Sequence, residues 1–489
     1  MRVVLVNPGS LLRAVGGLLA RFVTPIPPLG LAQLAATLEA AGHHVDIIDQ
    51  YCDQQDATAL AAQIIALQPG LVGFSCLTPN MGAVLDAVGA LRRASPGLPV
   101  VFGNTHAAVF ADRILRRDEA DFVVLAEGEV PLLGLVAALE RGERPQGVPG
   151  VGYRDAAGEP VIQPAARPSA SMDELPWADW SKLDLSRYRS HPMIAMEGIT
   201  VPIQGSRGCA YSCSFCAQDT VFHGVRLRSP ANICDEIEHH IERYGVTRFG
   251  FIDAYWPLSV RKGHAFLDDL ERRGLHRRIT WVTETRVDKV DEGLLRRMAA
   301  DGCRLIMYGI EFGTDEALAA TGKHARTSQA EDAIRWTHAA GILTLGLYVI
   351  GMPGETPASV RQTLAFARRL GTDIAKFNIA VPLPGSAFFD EVMGDQRDAL
   401  DYDAFHSWFN PFAAGRGLVW TPEGLDGDTL VRLQRMGMLR YYLRPRHIRQ
   451  VLRRGAIRPR DMLLGGAALV GDGAQILIGR LRDRATPHA

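Results

Sequence analysis

The sequence predicts an α/β protein with a doubly wound, Rossmann-like (flavodoxin-like) domain, a partial (β/α)6 barrel and a small helical C-terminal region. Three observations support this fold class. Short β-rich runs alternate with helical stretches up to about residue 146, the same alternation resumes at residue 200, and strands disappear after residue 394. A chain of 489 residues is also too long for one core, which agrees with two or three domains.

The first domain is predicted over residues 1–146. Its β-rich runs are of the kind buried in a parallel sheet, and residues 80–97 indicate a helix that ends at a Pro–Gly pair. A ligand of such a sheet binds beyond the carboxyl ends of the strands. No G-x-G-x-x-G follows the first run, so we do not expect a dinucleotide. The predicted strands are residues 2–8, 44–49, 71–76, 98–104 and 121–129.

Residues 147–199 are predicted to connect the domains, because Pro, Gly, Ala and Asp dominate there, with one hairpin over residues 153–162. The barrel is predicted over residues 200–394. The active site of a β/α barrel is built from the loops at the carboxyl ends of its strands. The predicted barrel strands are residues 200–208, 248–253, 278–284, 304–313, 344–351 and 375–385.

The loop after the first barrel strand, QGSRGCAYSCSFCAQ, carries Cys209, Cys213 and Cys216 in a C-x-x-x-C-x-x-C array. Thiolates bind soft metals and hold iron–sulfur clusters, and three ligands leave one iron of a four-iron cluster open. Two alternatives remain. A structural zinc site would need a fourth Cys or His at zinc-motif spacing, and none lies nearby; ordinary buried cysteines are seldom clustered in this way.

The array resembles that of the radical S-adenosylmethionine (SAM) superfamily, including the aromatic Phe215 before the last cysteine. This resemblance implies a [4Fe–4S] cluster whose open iron is chelated by SAM, and reductive cleavage of SAM to a 5′-deoxyadenosyl radical. Asp253 in FIDAYW, Glu311 in YGIEFG and Gly351 in YVIGMPGET resemble the elements with which the superfamily binds SAM. At Gly351 the missing side chain is expected to admit the adenine ring.

Other side chains near predicted strand ends are weaker candidates. Arg207 and Arg286 are candidates for the SAM carboxylate or for the electrostatics of the cluster, although Arg is more often a solvated or ion-paired residue. Aromatic residues at strand ends are more often part of the core than of a binding site. The side chains that could line a substrate cavity are Tyr255, Trp256, Tyr308 and Asn378.

Ahead of a radical SAM motif, the first domain resembles the cobalamin-binding domain of cobalamin-dependent radical SAM enzymes. It lacks the D-x-H-x-x-G whose histidine ligates cobalt in many cobalamin domains, which implies cobalt without a histidine ligand. The alternative roles are helix capping by His106, turn capping by Ser75 and Thr78, and helix-dipole contacts by Glu127. The candidate cobalamin-binding residues are Asn7, Ser75, Thr78, Gly103, Asn104, His106, Glu127 and Gly128.

Over roughly residues 1–395 the chain is most similar to the family of the anaerobic magnesium-protoporphyrin IX monomethyl ester oxidative cyclase. Because this family is functionally broad, the resemblance leaves the reaction open. The leading hypothesis is a C-methyltransferase that acts on an unactivated carbon of a natural-product, lipid or tetrapyrrole-like small molecule. The alternatives are a radical oxidative cyclase or oxygenating enzyme without methyl transfer, and a cobalamin-binding sensor module.

The amino-acid composition limits the classes of binding partner and the cellular location that we expect. The net charge of −1 does not indicate a nucleic-acid-binding surface. Seven cysteines without a secretory leader favour a location in the reducing cytoplasm. The cluster implies a ferredoxin- or flavodoxin-type reductant. In the C-terminal region, residues 395–489, the basic run 444–454 and the apolar segment 462–479 could contact a membrane surface, and no spanning helix is expected.

Overall fold

The computed structural model describes residues 1–9, 25–165, 171–188, 198–408 and 417–459. Most of the loop after the first strand and the apolar segment 462–479, both interpreted from the sequence, lie outside these residues. Within them, no helix is both long enough and apolar enough to cross a membrane.

The first domain is built on a seven-stranded sheet in the order β2-β1-β3-β4-β5-β6-β7. Strands β1 to β5 are parallel, which confirms the flavodoxin-like prediction, and β6 and β7 form the predicted hairpin, which extends the sheet antiparallel to β5. The predicted connector therefore contributes two strands to the first sheet. The strands are β1 (Arg2–Asn7), β2 (His44–Asp49), β3 (Leu71–Ser75), β4 (Val100–Gly103), β5 (Phe122–Val124), β6 (Val151–Arg154) and β7 (Pro160–Ile162).

Helices pack on both faces of this sheet and bury side chains that alternate along each strand. Val4 and Val6 of β1 lie in the core on one face, and Val3 and Leu5 lie in the core on the other. The helices are α1 (Leu29–Ala40), α2 (Gln50–Asp53), α3 (Ala57–Ala66), α4 (Met81–Ala94), α5 (Asn104–Val109), α6 (Ala111–Arg116) and α7 (Glu129–Glu140).

The second domain is the predicted six-stranded partial barrel, with all six strands parallel in the order β15-β14-β13-β12-β11-β8. A two-residue pair, β9 (Ser206–Arg207) with β10 (Arg226–Leu227), was not predicted. The barrel strands are β8 (Val201–Ile203), β11 (Arg248–Phe251), β12 (Thr280–Thr285), β13 (Cys303–Glu311), β14 (Leu343–Ile350) and β15 (Ile374–Ile379).

Local signals explain where the barrel helices begin. The helix after β14 starts at Thr356, because the Thr356 hydroxyl accepts a hydrogen bond from the Ser359 backbone N–H and Pro357 occupies the first turn. The helices are α8 (Pro230–Tyr244), α9 (Val260–Arg272), α10 (Glu292–Ala300), α11 (Asp315–Ala320), α12 (Thr327–Ala339), α13 (Pro357–Leu370) and α14 (Ala387–Met393).

The chain after the last barrel strand packs against both domains. Val381, Phe389, Met393 and Phe405 are part of the core of the first domain. Two further helices, α15 (Gly427–Tyr442) and α16 (Pro445–Arg454), form the helical C-terminal region, and α15 packs against α13 and β15 of the barrel. This packing ties the first domain to the carboxyl end of the barrel.

Candidate functional site

The cysteine loop starts with a backbone conformation that favours glycine. Gly208, directly before Cys209, has a φ of +82°, and a Cβ at this position would lie 1.8 Å from the carbonyl oxygen of Gly224. A side chain is excluded because the β9–β10 pair brings the two backbones together. The glycine therefore allows the chain to turn sharply into the array.

Two backbone hydrogen bonds fix the loop from either side. The Ser214 N–H donates to the carbonyl oxygen of Thr321 at 3.0 Å, at the end of α11, and the Phe388 N–H of α14 donates to the Ser214 carbonyl oxygen at 2.8 Å. Phe215 packs edge-on against Phe312, with ring centroids 6.2 Å apart. The loop is thus held between two helices at the carboxyl end of the barrel, as the sequence predicted.

The three thiols differ in exposure and lie near cationic groups. Cys216 is exposed and Cys209 is half-buried, and the Cys213 thiol lies 3.8 Å from the carbonyl oxygen of Gly322. Burial raises the pKa of Cys213, and the charges of Lys323 and Arg286 oppose that rise. The two cations therefore offset part of the effect of burial, and three thiols in one loop suit the donor set of an iron–sulfur cluster.

A single-ion site is a poorer fit to these residues. In the described ranges, no three His, Cys, Asp or Glu side chains converge closely enough to hold one metal ion. A four-iron cluster attaches each thiolate to a different iron, so its ligands need not converge on one point.

Asp253 is buried beneath the loop that leads into the cysteines. Its carboxylate accepts hydrogen bonds from the Gly205 N–H at 3.1 Å and from the Ser206 hydroxyl, and burial raises its pKa to about 7. Both partners belong to the loop itself. The structure thus gives Asp253 a role in holding the loop, and its predicted contact with SAM remains a prediction.

Glu311 ends β13 in a left-handed conformation, with a φ of +64°. Its carboxylate accepts a hydrogen bond of 2.7 Å from Lys323, and both side chains are buried. Arg286 donates to the Lys323 carbonyl oxygen at 2.7 Å, and its guanidinium lies 3.6 Å from the ring centroid of Tyr211. Because a left-handed non-glycine residue is strained, this position is one where function commonly resides.

A helix of the C-terminal region packs against Gly351. The φ of Gly351 is +88°, and the space that a Cβ would fill is taken by Leu430 of α15, whose Cδ2 lies 2.6 Å from that point. The carboxylate of Glu355 accepts hydrogen bonds from the N–H groups of Gly351 and Met352. The missing side chain therefore makes room for α15, and an adenine contact at Gly351 stays a prediction.

The first domain brings several of its candidates together at the carboxyl ends of its strands. Asn104, with a φ of +75°, donates from its side chain to the Ser75 hydroxyl at 3.0 Å, and a Cβ at the neighbouring Gly103 would meet none of the described residues within 4 Å. Asn7 donates to Asp49 at 2.9 Å. Among the described residues, space therefore stays open beside Gly103 at the edge where a ligand is expected.

His106 is buried and both of its ring nitrogens have partners. Nδ1 lies 3.0 Å from the Thr78 hydroxyl, and Nε2 lies 3.0 Å from an Arg113 guanidinium nitrogen. Because Arg can only donate, Nε2 accepts and Nδ1 carries the proton of the neutral ring. Burial lowers the pKa of His106 to about 3. The contacts give Thr78 and His106 a structural role, and a contact of either residue with cobalamin stays a prediction.

Glu127 binds arginines of the barrel. Its carboxylate pairs with Arg207 and Arg226, and Arg207 also binds the Glu129 carboxylate at 2.6 Å and the Gln33 side chain at 2.9 Å. Sequence reasoning proposed Glu127 and Arg207 for cofactors and missed that they bind each other. The signal in the sequence that could have indicated this contact is the segment Glu127-Gly128-Glu129, whose two carboxylates point the same way.

The predicted cavity residues divide by the direction of their side chains. Tyr308 points outward, since its hydroxyl lies 2.8 Å from the Thr337 hydroxyl of α12, and Trp256 stacks on Phe251 in the core. The side-chain oxygen of Asn378 is buried, and none of the described residues donates a hydrogen bond to it. Tyr255 lies near Tyr211, with ring centroids 5.9 Å apart. Two inward-facing charged residues, Glu284 and Lys376, were missed.

Comparison with known families assigns both domains. Residues 16–136 match the B12 binding domain, and residues 203–367 match the Radical SAM superfamily. The chain carries a B12-binding domain and a radical SAM domain. This result confirms the predicted resemblance and the predicted cofactors, which are a [4Fe–4S] cluster, SAM and cobalamin.

Three comparisons extend over most of the chain. An uncharacterized methyltransferase of Pyrococcus horikoshii is 27% identical over 453 residues, covering 91% of this chain and 93% of its own. The anaerobic magnesium-protoporphyrin IX monomethyl ester cyclase of Cereibacter sphaeroides is 28% identical over 443 residues, covering 87% and 69%. The solved structure of the radical SAM methyltransferase TsrM from Kitasatospora setae, with cobalamin and [4Fe-4S] cluster bound, matches with a TM-score of 0.66, 22% identity and coverage of 80% and 78%. The TsrM match shows that the fold is shared.

Proposed function

We propose that this protein is a cobalamin-dependent radical SAM methyltransferase that methylates an unactivated carbon of a small molecule. The observation that carries the proposal is the buried contact of Arg207 with Glu127 and Glu129. Arg207 stands two residues before Cys209, and the two glutamates follow the last parallel strand of the B12-binding domain. The two cofactor-binding edges therefore face each other.

In this proposal the radical SAM domain holds its cofactors with residues that converge at the carboxyl end of the barrel. Cys209, Cys213 and Cys216 hold the cluster, and the cationic charges of Lys323 and Arg286 favour the thiolate form of Cys213. The Glu311–Lys323 pair faces the same region and offers a carboxylate to the ammonium or ribose hydroxyls of SAM. When bound, the cluster and SAM supply an alkyl radical and cobalamin supplies a methyl carrier.

The B12-binding domain offers the carboxyl edge of its sheet to cobalamin. Gly103 leaves space for a close approach, and the Asn104–Ser75 hydrogen bond fixes the two loops on either side of that space. His106 keeps its hydrogen bonds to Thr78 and Arg113, so both nitrogens of its ring already have partners. The task of the residues here is to orient the cofactor and to exclude water from the cleft.

The relatives support a methyltransferase, because the Pyrococcus horikoshii protein that resembles nearly the whole chain carries that description. The radical SAM domain favours an enzyme over a cobalamin-binding sensor. Reductive cleavage needs an electron donor, for which we propose a cytoplasmic ferredoxin- or flavodoxin-type protein.

We also propose a weak peripheral membrane contact through α16, near which Leu443 is 65% exposed and Leu452 is 43% exposed. Arg444 and Arg454 lie outside this surface, since they donate to backbone carbonyl oxygens of Arg368 and Ile342. In a flotation assay with anionic vesicles, we expect the wild-type protein to be recovered with the vesicles. A Leu443→Ser, Leu452→Ser variant should be recovered in a smaller fraction.

Reductive cleavage of SAM tests the enzyme class. Anaerobically reconstituted protein is expected to show iron–sulfur absorption and to release 5′-deoxyadenosine under a strong reductant. The Cys213→Ala variant should lose both, whereas Cys52→Ala, which removes a cysteine of the first domain, should keep both. A wild-type protein that forms the cluster and never cleaves SAM would contradict the proposal.

Oxidative cyclisation is the second candidate, because the Cereibacter sphaeroides cyclase is 28% identical to this chain over an alignment that covers 87% of the chain. The two reactions differ in the fate of the SAM methyl group. Methylation transfers that group to the product, whereas cyclisation does not.

A further inference from the structure

A short segment after α11 lies along the backbone of the cysteine loop. The carbonyl oxygen of Thr321 accepts a hydrogen bond from the Ser214 N–H at 3.0 Å, and the carbonyl oxygen of Gly322 lies 3.8 Å from the Cys213 thiol. Gly322 has a φ of +68°, and a Cβ there would lie 3.2 Å from a carbonyl oxygen of the cysteine loop. The glycine therefore lets the two backbones approach closely. The next residue is Lys323, whose position relative to the loop is fixed by these contacts.

The side chain of Lys323 is buried in a space that a glycine leaves open. Its ammonium group donates a hydrogen bond of 2.7 Å to the Glu311 carboxylate. A Cβ at Gly309, on β13, would lie 2.6 Å from a carboxylate oxygen of Glu311 and 2.8 Å from the Lys323 nitrogen. Because both distances are shorter than van der Waals contact, a side chain at position 309 would displace the pair. The ion pair is therefore held in one place between β13 and the 321–323 segment.

Lys323 is the cation that acts most strongly on Cys213. Burial raises the pKa of the Cys213 thiol, and the Lys323 charge opposes this rise more than the Arg286 charge does. Burial lowers the pKa of Lys323, but the charge of Glu311 and its hydrogen bond outweigh burial, so the pKa is raised and the ammonium group stays charged. Lys323 is 7% exposed, and water and salt therefore screen its charge weakly.

We propose that Lys323 is a positioning residue whose charge acts through Cys213 to raise the reduction potential of the iron–sulfur cluster, and that Glu311 offsets part of this effect. Reduction adds one electron to the cluster, supplied by the ferredoxin- or flavodoxin-type donor, and no other bond forms or breaks in this step. A buried cation near a thiolate ligand stabilises the added negative charge and raises the potential, whereas a buried carboxylate lowers it.

This inference rests on the proposed function and deepens it, because it gives the Glu311–Lys323 pair a second task beside the contact with SAM. A pair that only held the cysteine loop in place would change the potential without regard to which charge is removed. The electrostatic role instead predicts shifts of opposite sign, one for removal of the cation and the other for removal of the carboxylate.

The test is a redox titration of the anaerobically reconstituted holoprotein, followed by low-temperature EPR of the reduced cluster. Lys323→Met is expected to lower the equilibrium constant of reduction about 10-fold, which is about 59 mV for one electron. Glu311→Gln is expected to shift the potential in the opposite direction. Equal potentials in Lys323→Met and the wild type, or shifts of the same sign in both variants, would overturn the inference.

Further variants separate the effect of charge from misfolding. The double variant Lys323→Met, Glu311→Gln contains neither charge of the pair, and its potential should lie below that of Glu311→Gln. This comparison removes the same cation even if Lys323→Met alone does not fold, and equal potentials would again overturn the inference. Lys323→Arg keeps the charge and should restore most of the wild-type potential. Lys262→Met, which removes a lysine of α9, is the matched control and should titrate as the wild type does.

Cleavage of SAM separates this inference from the proposed function. If the wild type cleaves SAM and the variants keep its potential, only the inference fails. If the wild type holds the cluster and never cleaves SAM, the proposed function fails, and the potentials still decide the role of Lys323. A wild type that forms no cluster would overturn both.

Discussion

Arg207 of the radical SAM domain binds the Glu129 carboxylate of the B12-binding domain at 2.6 Å, and both side chains are buried. The same guanidinium pairs with Glu127, which also binds Arg226. Because Arg207 stands two residues before Cys209, the orientation of the cysteine loop and the position of the B12-binding domain are coupled. The two domains are therefore joined at the proposed site of chemistry.

The first prediction concerns this contact. Arg207→Met removes the guanidinium that balances the buried carboxylates of Glu127 and Glu129. We expect this substitution to lower the free energy of unfolding by about 3–5 kcal/mol. Chemical denaturation of the anaerobically purified protein measures the change. Arg116→Met is the matched control, since Arg116 also binds two carboxylates, Asp112 and Glu159, but lies exposed at the surface. An equally small effect of both variants would contradict the proposed coupling.

The second prediction concerns the pair proposed for SAM. Glu311→Gln removes the carboxylate charge that Lys323 balances, and we expect SAM to bind about 10- to 100-fold more weakly while the iron content stays unchanged. Equilibrium dialysis and iron analysis measure the two quantities. Glu316→Gln serves as the exposed control. An unchanged affinity for SAM would show that the Glu311 carboxylate does not bind SAM.

The third prediction separates packing from adenine binding at Gly351. Gly351→Ala places a side chain at a φ of +88°, which costs about 1–2 kcal/mol, and overpacks Leu430 by about 1–3 kcal/mol. In a Leu430→Ala background, the part of the stability loss that comes from overpacking should disappear. A double-mutant cycle measures this difference. Gly354→Ala, where φ is +77° and no described residue lies within 4 Å of a Cβ, should show the conformational cost alone. No coupling between residues 351 and 430 would contradict the packing role.

The fourth prediction is a pH dependence. The pKa of His106 is lowered by burial to about 3, below its value of about 6.5 in the unfolded chain. The unfolded chain binds the extra proton between these values, so stability falls as the pH drops below about 6.5, by about 1.4 kcal/mol per unit. Unfolding of the wild type and of His106→Gln at pH 7.5 and pH 5.5 measures it. The pH-dependent loss should be about 1.4 kcal/mol smaller in the variant, and an unchanged loss would show that His106 is not buried as described.

Local patterns predicted much of the fold. The strands of both domains follow from β-rich runs between turn residues, and Thr356 with Pro357 marks the start of α13 because capping is decided within one helical turn. The cysteine array was found in the same way, since its spacing is a property of adjacent residues.

Contacts between distant residues escaped the sequence analysis. Arg207 and Glu129 are 78 residues apart, and Gly351 meets a leucine from a helix that follows the barrel, so neither partner is marked by local sequence. The sequence analysis also did not predict which face of a strand each side chain lies on. Tyr308 lies on the outward face of β13 and Glu284 on the inward face of β12, a distinction that depends on strand register, and one residue of register reverses it.

The most direct test of the account follows the methyl group of SAM. Reconstituted holoprotein is supplied with strong reductant, SAM that carries a deuterated methyl group, and a small-molecule extract that contains candidate substrates. The account predicts a product that carries the deuterated methyl group on carbon, together with 5′-deoxyadenosine and S-adenosylhomocysteine, and loss of all three in Cys213→Ala. Release of 5′-deoxyadenosine with a substrate-derived product that contains no deuterium would contradict methyl transfer and favour the cyclase alternative.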